Sequence, residues 1–224
     1  MFTRKELIEE KLMPCHILIR AIGDLPVFSL KEDCSRYVFQ MYAANVGRPG
    51  LNLHRCDMNK VAVDILEGRN ISSDLIKNEH DPLVNIISFS LVKNHAHFIL
   101  SANENNGIPK FINKLNLGFA KYFNIKNKRF GSLFSKPFKI ASIMGNSRLN
   151  LVVWYINIKS PLEVSDDFKS YCFSSFSDLF GDRQSKITIS KTGAKYLGIS
   201  LEKIEESVNK LNLKEQIFLE EING

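Results

Sequence analysis

Leu83–Ser101, LVNIISFSLVKNHAHFILS, is the stretch whose reading decides the fold. It is the most strand-like run in the chain, rich in aliphatic residues and free of Gly and Pro. Residues two apart on a strand share a face. His95 and His97 therefore present two imidazoles side by side, while Ala96 points to the opposite, core-facing side. Two neutral imidazoles on one rigid strand make half of a metal site, with the other positions left for a further protein ligand, water or substrate. The spacing alone is a weak signal, because a pair of histidines on a sheet face also occurs as plain structure. The surroundings exclude several alternatives. Phe98, Ile99 and Leu100 follow where a zinc hydrolase of the H-x-H-x-D-H kind needs Asp and His. The chain has no Walker loop, no glycine-rich dinucleotide turn, no G-x-S-x-G and no H-E-x-x-H.

Outward from this stretch, elements alternate. Met13–Gly23 reads as a first strand closed by Gly-Asp-Leu-Pro. Leu30–Val46 has helical spacing, with Ser29 as N-cap and Gly47 past its end. Gly47–Pro82 is an excursion holding a helix near Asn59–Leu66. Ile108–Asn124 is an amphipathic helix opened by Pro109 and carrying lysines on its polar face. Phe130–Ile143 mixes aromatic and basic residues and is expected to form a strand or hairpin. Ser147–Ile158 reads as a helix capped by Ser147. The first ten residues suggest a short charged helix, and the tail has a helix near Leu201–Leu211. The expectation is an α+β domain over residues 1–183, with an insertion at about 47–82, followed by a helical extension over 184–224.

Charge distribution points to a partner. The formal net charge of the 224 residues is +6, and no Asp or Glu occurs from Asn105 to Leu162. That segment carries Lys121, Lys126, Lys128, Arg129, Lys136, Lys139 and Lys159 among its cations, which lowers the cost of approaching a phosphate backbone. The bland alternative is a solvated basic face. Cys15, Cys34, Cys56 and Cys172 are scattered without a C-x-x-C pair, against both a zinc ribbon and a disulfide framework. No apolar run reaches the roughly 18–20 residues that span a bilayer, and no signal-peptide core opens the chain, so a cytoplasmic protein is expected.

Tyr155, in Val153-Trp154-Tyr155-Ile156-Asn157-Ile158, is by residue type a core or interface side chain. Beside a metal site and a basic surface it has another use. A phenol can attack a phosphodiester when a metal polarises the non-bridging oxygen.

In this order the blocks resemble the HUH single-tyrosine transposases, including the REP-associated tyrosine transposases. LVKNHAHFIL matches the HUH strand. GIPKFINKLNLGFAKYFNIKNKRFGSLFSKPFK is similar to the block that follows it, and VVWYINIKSP resembles the helix that carries the nucleophile. YCFSSFSDLFG and the opening HILIRAIGDLPVFSLKED are also similar to family segments. The resemblance runs from about Cys15 to Gly181, interrupted by the excursion.

It implies a ferredoxin-like or RRM-like antiparallel sheet with helices on one face and the histidines on a central strand. It implies a metal-dependent transesterase acting on single-stranded, hairpin-containing DNA through a 5′-phosphotyrosine, as a monomer or homodimer. His95 and His97 would bind divalent Mg or Mn, Tyr155 would be the nucleophile, and the seven cations named above would line the strand's path. Phe130, Phe134 and Phe138 could stack on bases, with core burial expected for at least two. One departure matters. The family's amide or carboxylate ligand, one turn after the tyrosine, is here Lys159, which has no lone pair while charged. Lys159-Ser160-Pro161 stands where the family has Asn-Pro, as a one-residue slip would give; either Asn157 or an acid elsewhere supplies the third ligand, or the site is weakened. The competing reading is a descendant that grips nucleic acid and no longer cuts.

Overall fold

The computed structural model describes residues 13–50 and 53–223, and the helix expected over the first ten residues lies outside them. In chain order the elements are β1 (Cys15–Arg20), α1 (Lys31–Val46), β2 (Arg48–Pro49), α2 (Met58–Leu66), β3 (Ile76–Lys77), β4 (Val84–Val92), β5 (His95–Ala102), α3 (Gly107–Lys126), β6 (Lys139–Ser142), α4 (Asn146–Trp154), α5 (Phe176–Leu179), α6 (Lys191–Tyr196), α7 (Leu201–Asn209) and α8 (Leu213–Asn223).

β1, β4, β5 and β6 form one sheet in the order β4-β5-β1-β6, with antiparallel pairing throughout. The units β1-α1-β4-β5-α3-β6 are the split βαβ arrangement of ferredoxin-like domains, and the paired histidines sit on a central strand as expected. Residues 83–101 are not one strand, however. Lys93 and Asn94 turn the chain back on itself, so β4 and β5 are the arms of a hairpin. A single strand over that length would run about 60 Å, some three times a common strand. Lys93 takes a positive φ of 22° at the turn, and apolar residues on both sides hide the break from a periodicity count.

One face of the sheet is apolar. Cys15, Ile17 and Ile19 of β1, Phe89 and Leu91 of β4, and Ala96, Phe98 and Leu100 of β5 are buried there with Tyr37, Val38 and Met41 of α1 and Phe111, Leu115 and Phe119 of α3. Each fully buried aliphatic or aromatic side chain contributes about 1.5–3 kcal/mol, so this layer supplies much of the folding free energy. A side chain at Gly118 would run into the Gln40 amide, so glycine lets α3 close on α1. The insertion joins the same core through Ala62, Ile65 and Leu66 of α2.

Helices do not stop at that face. Ile87 and Ile99 on the opposite side pack with Leu149, Val152 and Val153 of α4, and the tail adds Ala194, Ile199, Ile204 and Leu219. The expectation of helices on one face thus holds for α1 and α3, while α4 and the C-terminal helices cover part of the other. The apolar residues of β5's second face, beginning at Ile99, require that cover. Two predicted caps also differ: Leu30 rather than Ser29 precedes α1, and Gly145 rather than Ser147 precedes α4.

Candidate active site

The second face is polar at one end because of the strand registers. Ser90 of β4, His97 of β5, Leu18 of β1 and Lys139 of β6 are cross-strand partners in one row. Val92, His95 and Arg20 form the next row toward the hairpin turn, and Ser88, Ile99, His16 and Ala141 the row on the other side. Directly opposed residues share a face with Cβ atoms about 4.5–5.5 Å apart. His16, Leu18, Arg20, His95, His97 and Lys139 therefore look the same way.

His95 and His97 stand with ring centroids 4.8 Å apart and planes nearly perpendicular. Each has a buried Nε2 with no hydrogen-bond partner. Buried polar atoms without partners are rare and call for an explanation. His95 Nδ1 lies 2.7 Å from the Asn94 side-chain oxygen, while the Asn94 amide donates to Asp24 Oδ1 at 2.8 Å. An amide oxygen only accepts, so His95 must donate from Nδ1, which leaves Nε2 as a bare lone pair. His97 Nδ1 is 3.0 Å from His16 Nε2. All three rings are held neutral. Burial and then His95 push His16 down to about 3. Burial and then Arg20 push His95 down to about 4, against a pull from Asp24. His97 is lowered well below the usual range by burial, then by His16, His95 and Arg20. Two adjacent neutral imidazoles with buried, unpartnered Nε2 atoms are donors of the kind that a divalent cation takes. Among the described residues no group of three or more His, Cys, Asp and Glu side chains could hold one.

Tyr155 completes the group from above, its ring centroid 5.4 Å from that of His97. Burial pushes its phenol up to about 12; the Glu163 carboxylate adds to the rise and the Arg20 guanidinium opposes it. The helix changes form here. Tyr155–Lys159 is a π-helical turn, closed by the Ser160 backbone N–H donating to the Tyr155 carbonyl. π turns are frequent at functional sites. The turn after Tyr155 therefore closes on Ser160 instead of Lys159. Ser160 Oγ is buried and without a hydrogen-bond partner, as is Ser90 Oγ beside His97. Lys159 is exposed, with its Nζ 5.6 Å from the Tyr155 ring centre and 5.9 Å from that of Trp154.

Asn157 is not brought to the imidazoles. Its amide donates to Ser88 Oγ at 2.8 Å and to the Val153 carbonyl at 2.9 Å, and its oxygen accepts from Ser175 Oγ at 2.7 Å. Those bonds satisfy a fully buried amide and make it a structural tie between helix and sheet.

The basic residues divide. Lys139 and Lys159 belong to the histidine face. Lys128, Arg129 and Lys136 lie on the loop from α3 to β6, which is tied to the end of β1 by Ile22 N–H donating to the Leu133 carbonyl and Ser135 N–H to the Arg20 carbonyl. On that loop Phe130 is 94% exposed, Phe134 is buried at 4%, and Phe138 is half-buried against the core. Lys121 and Lys126, by contrast, sit on α3 across the sheet. Lys126 is held by Glu32 and Asp33, each at 2.7 Å. The physical reason is that Phe111, Leu115 and Phe119 anchor α3 to the apolar face, and its lysines go with it. The sequence reading missed His16, Asn94, Arg20, Ser160 and Glu163. For His16 and Arg20 a signal existed, the alternation of CHILIR that groups them with Leu18, but what they face depends on the pairing of β1 with β5.

One sheet face thus brings together two imidazoles with unpartnered Nε2 atoms, a tyrosine ring against one of them and several cations. Residues 68–159 match the family model described as "Transposase IS200 like", a stretch that contains both histidines and Tyr155. The matched segment carries the candidate site residues His95, His97 and Tyr155. Among solved structures, it is similar to a REP-associated tyrosine transposase bound to a REP hairpin, at 12% identity and a TM-score of 0.49, over 81% of this chain and 90% of that one. No curated protein matches the chain. No helix among the described residues is long and apolar enough to cross a membrane.

Proposed function

We propose that this protein is a metal-dependent single-stranded-DNA endonuclease and strand transferase, working through a 5′-phosphotyrosine on Tyr155. The observation that carries the reading is the pair of orphaned Nε2 atoms on His95 and His97, beside the ring of Tyr155. His95 and His97 would hold a divalent ion, with the buried Ser160 hydroxyl as candidate third donor. Imidazole favours manganese over magnesium, although magnesium is abundant in cells. Such an ion, when bound, polarises a non-bridging phosphate oxygen and takes up developing charge.

The remaining work falls to the chain's own groups. Arg20, Lys139 and Lys159 attract and hold the phosphate backbone, and Phe130 offers an exposed ring on which a splayed base stacks. The Tyr155 oxygen bonds to phosphorus and the bond to the 3′ oxygen breaks. The proton lost by the phenol is matched by the one gained at the departing 3′-hydroxyl. Attack by a 3′-hydroxyl on the phosphotyrosine reverses the chemistry and joins strands without ATP. The substrate is a hairpin-containing single strand, and the biological setting is DNA transposition or the processing of hairpin repeats.

A second reading is a binder that does not cut. Lys159 in place of a ligand, and a phenol pushed up to about 12, favour it. Incubating the protein with labelled single-stranded hairpins of varied flanks and manganese, then running a denaturing gel, separates the two. The expected result is an adduct lost in Tyr155→Phe and in His95→Ala. Tight, salt-sensitive binding with neither adduct nor cleavage would establish the binder.

A further inference from the structure

His16 is a buried polar residue on the histidine face that the proposed reaction does not use. It is 1% exposed on β1, in the row next to His97, which is itself fully buried. Its Nε2 lies 3.0 Å from His97 Nδ1, and the two rings are 5.2 Å apart and tilted by 35°. One of these nitrogens donates and the other accepts. The rest of the His97 ring decides which. His97 Nε2 has no partner. A proton placed there would be a buried N–H without an acceptor, which native proteins rarely tolerate, whereas an unfilled lone pair is the lesser cost. His97 therefore carries its proton on Nδ1 and donates it to His16.

We propose that His16 is a positioning residue that locks the His97 imidazole in the Nδ1–H tautomer and so turns the Nε2 lone pair into the active site. Asn94 does the same for His95 from the hairpin turn. The two candidate ligands are thus set by different elements, one by the turn that carries its neighbour and the other by the strand alongside. This inference rests on the metal-site reading above, because a tautomer lock has a function only if Nε2 receives a ligand. Outer partners of metal-bound histidines typically contribute 10–100-fold in metal affinity.

The test uses the full chain with manganese alone as ligand, and nitrogen NMR of the histidine side chains in the metal-free protein. In the wild type, His97 Nδ1 should carry the proton and Nε2 should not. His16→Leu, which removes the acceptor, should weaken manganese binding by about 10–100-fold and mix the His97 tautomers. His16→Gln, which restores an acceptor oxygen, should recover most of the affinity. A wild-type His97 protonated on Nε2 would overturn the inference even if His16→Leu fails to fold. So would manganese affinity in a folded His16→Leu that matches the wild type while His95→Ala loses binding. Undiminished binding in both variants would instead remove the metal-site reading, and the inference with it.

Discussion

The two faces of the sheet are built on opposite terms. The face under α1 and α3 is filled by aromatic and aliphatic side chains, and its unpartnered buried polar atoms, on Arg36, Tyr37, Gln40 and Asn116, belong to the covering helices rather than to the strands. Among the described residues, the strands and helix at the face under Tyr155 bury unpartnered polar atoms on Ser90, His95, His97 and Ser160. A fold tolerates such atoms at a cost of roughly 1–3 kcal/mol each, and the apolar face is what offsets it. Stability and the proposed chemistry are therefore separable, one residue apart in sequence: Ala96 and Phe98 serve the first, and His95 and His97 would serve the second.

That separation can be broken or sharpened in a graded series. The largest effect expected is chemical: Tyr155→Phe should remove adduct formation below detection while leaving the unfolding midpoint nearly unchanged, read by denaturing gel and by thermal melt. The next is in acid. His16, His95 and His97 have folded pKa values depressed below the unfolded value of about 6.5, so the unfolded chain binds more protons as pH falls. The stability they hold is complete above about pH 6.5 and is lost progressively toward the folded values of about 4 for His95 and about 3 for His16. Denaturant titrations over that window should show a decline of several kcal/mol, shallower in a folded His16→Gln.

On the other face, Phe98→Ala should cost about 3–5 kcal/mol by opening a cavity, with manganese affinity kept in the fraction that remains folded. Manganese at a hundredfold excess over its dissociation constant should stabilise the wild type by about 2.7 kcal/mol, and His95→Ala should abolish that increment. The smallest effect belongs to single cations. Lys139→Ala should reduce the salt slope of DNA binding by about 1, and Lys121→Ala on the far side should leave it unchanged.

Much of the fold was legible locally. The alternation in β1 and β5 and the helical spacing of α1 and α3 follow from period and composition, and with the resemblance they implied the ferredoxin-like order that the strand pairing shows. The candidate ligands His95 and His97 were legible for the same reason, being two apart on one strand. What escaped was long-range or hidden by uniform composition. The turn at Lys93-Asn94 lies inside an aliphatic run. The role of His16 needs the antiparallel register of β1 against β5, which no local pattern carries. The π turn at Tyr155–Lys159 has no composition signal, yet it decides that Ser160 closes the turn and that Lys159 points out. Lys126 looked like a phosphate contact by charge alone, and only the packing of α3 against α1 places Glu32 and Asp33 on it.

Tyr155 is proposed to attack DNA under the direction of the two histidines. Proteolysis of the manganese-dependent protein–DNA adduct, followed by mass spectrometry of the nucleotide-bearing peptide, tests it most directly. The expected result is a nucleotide on Tyr155, linked through a 5′ phosphate, with no such peptide from His95→Ala. A nucleotide on any other residue, or strand cleavage that proceeds undiminished in Tyr155→Phe, would contradict it.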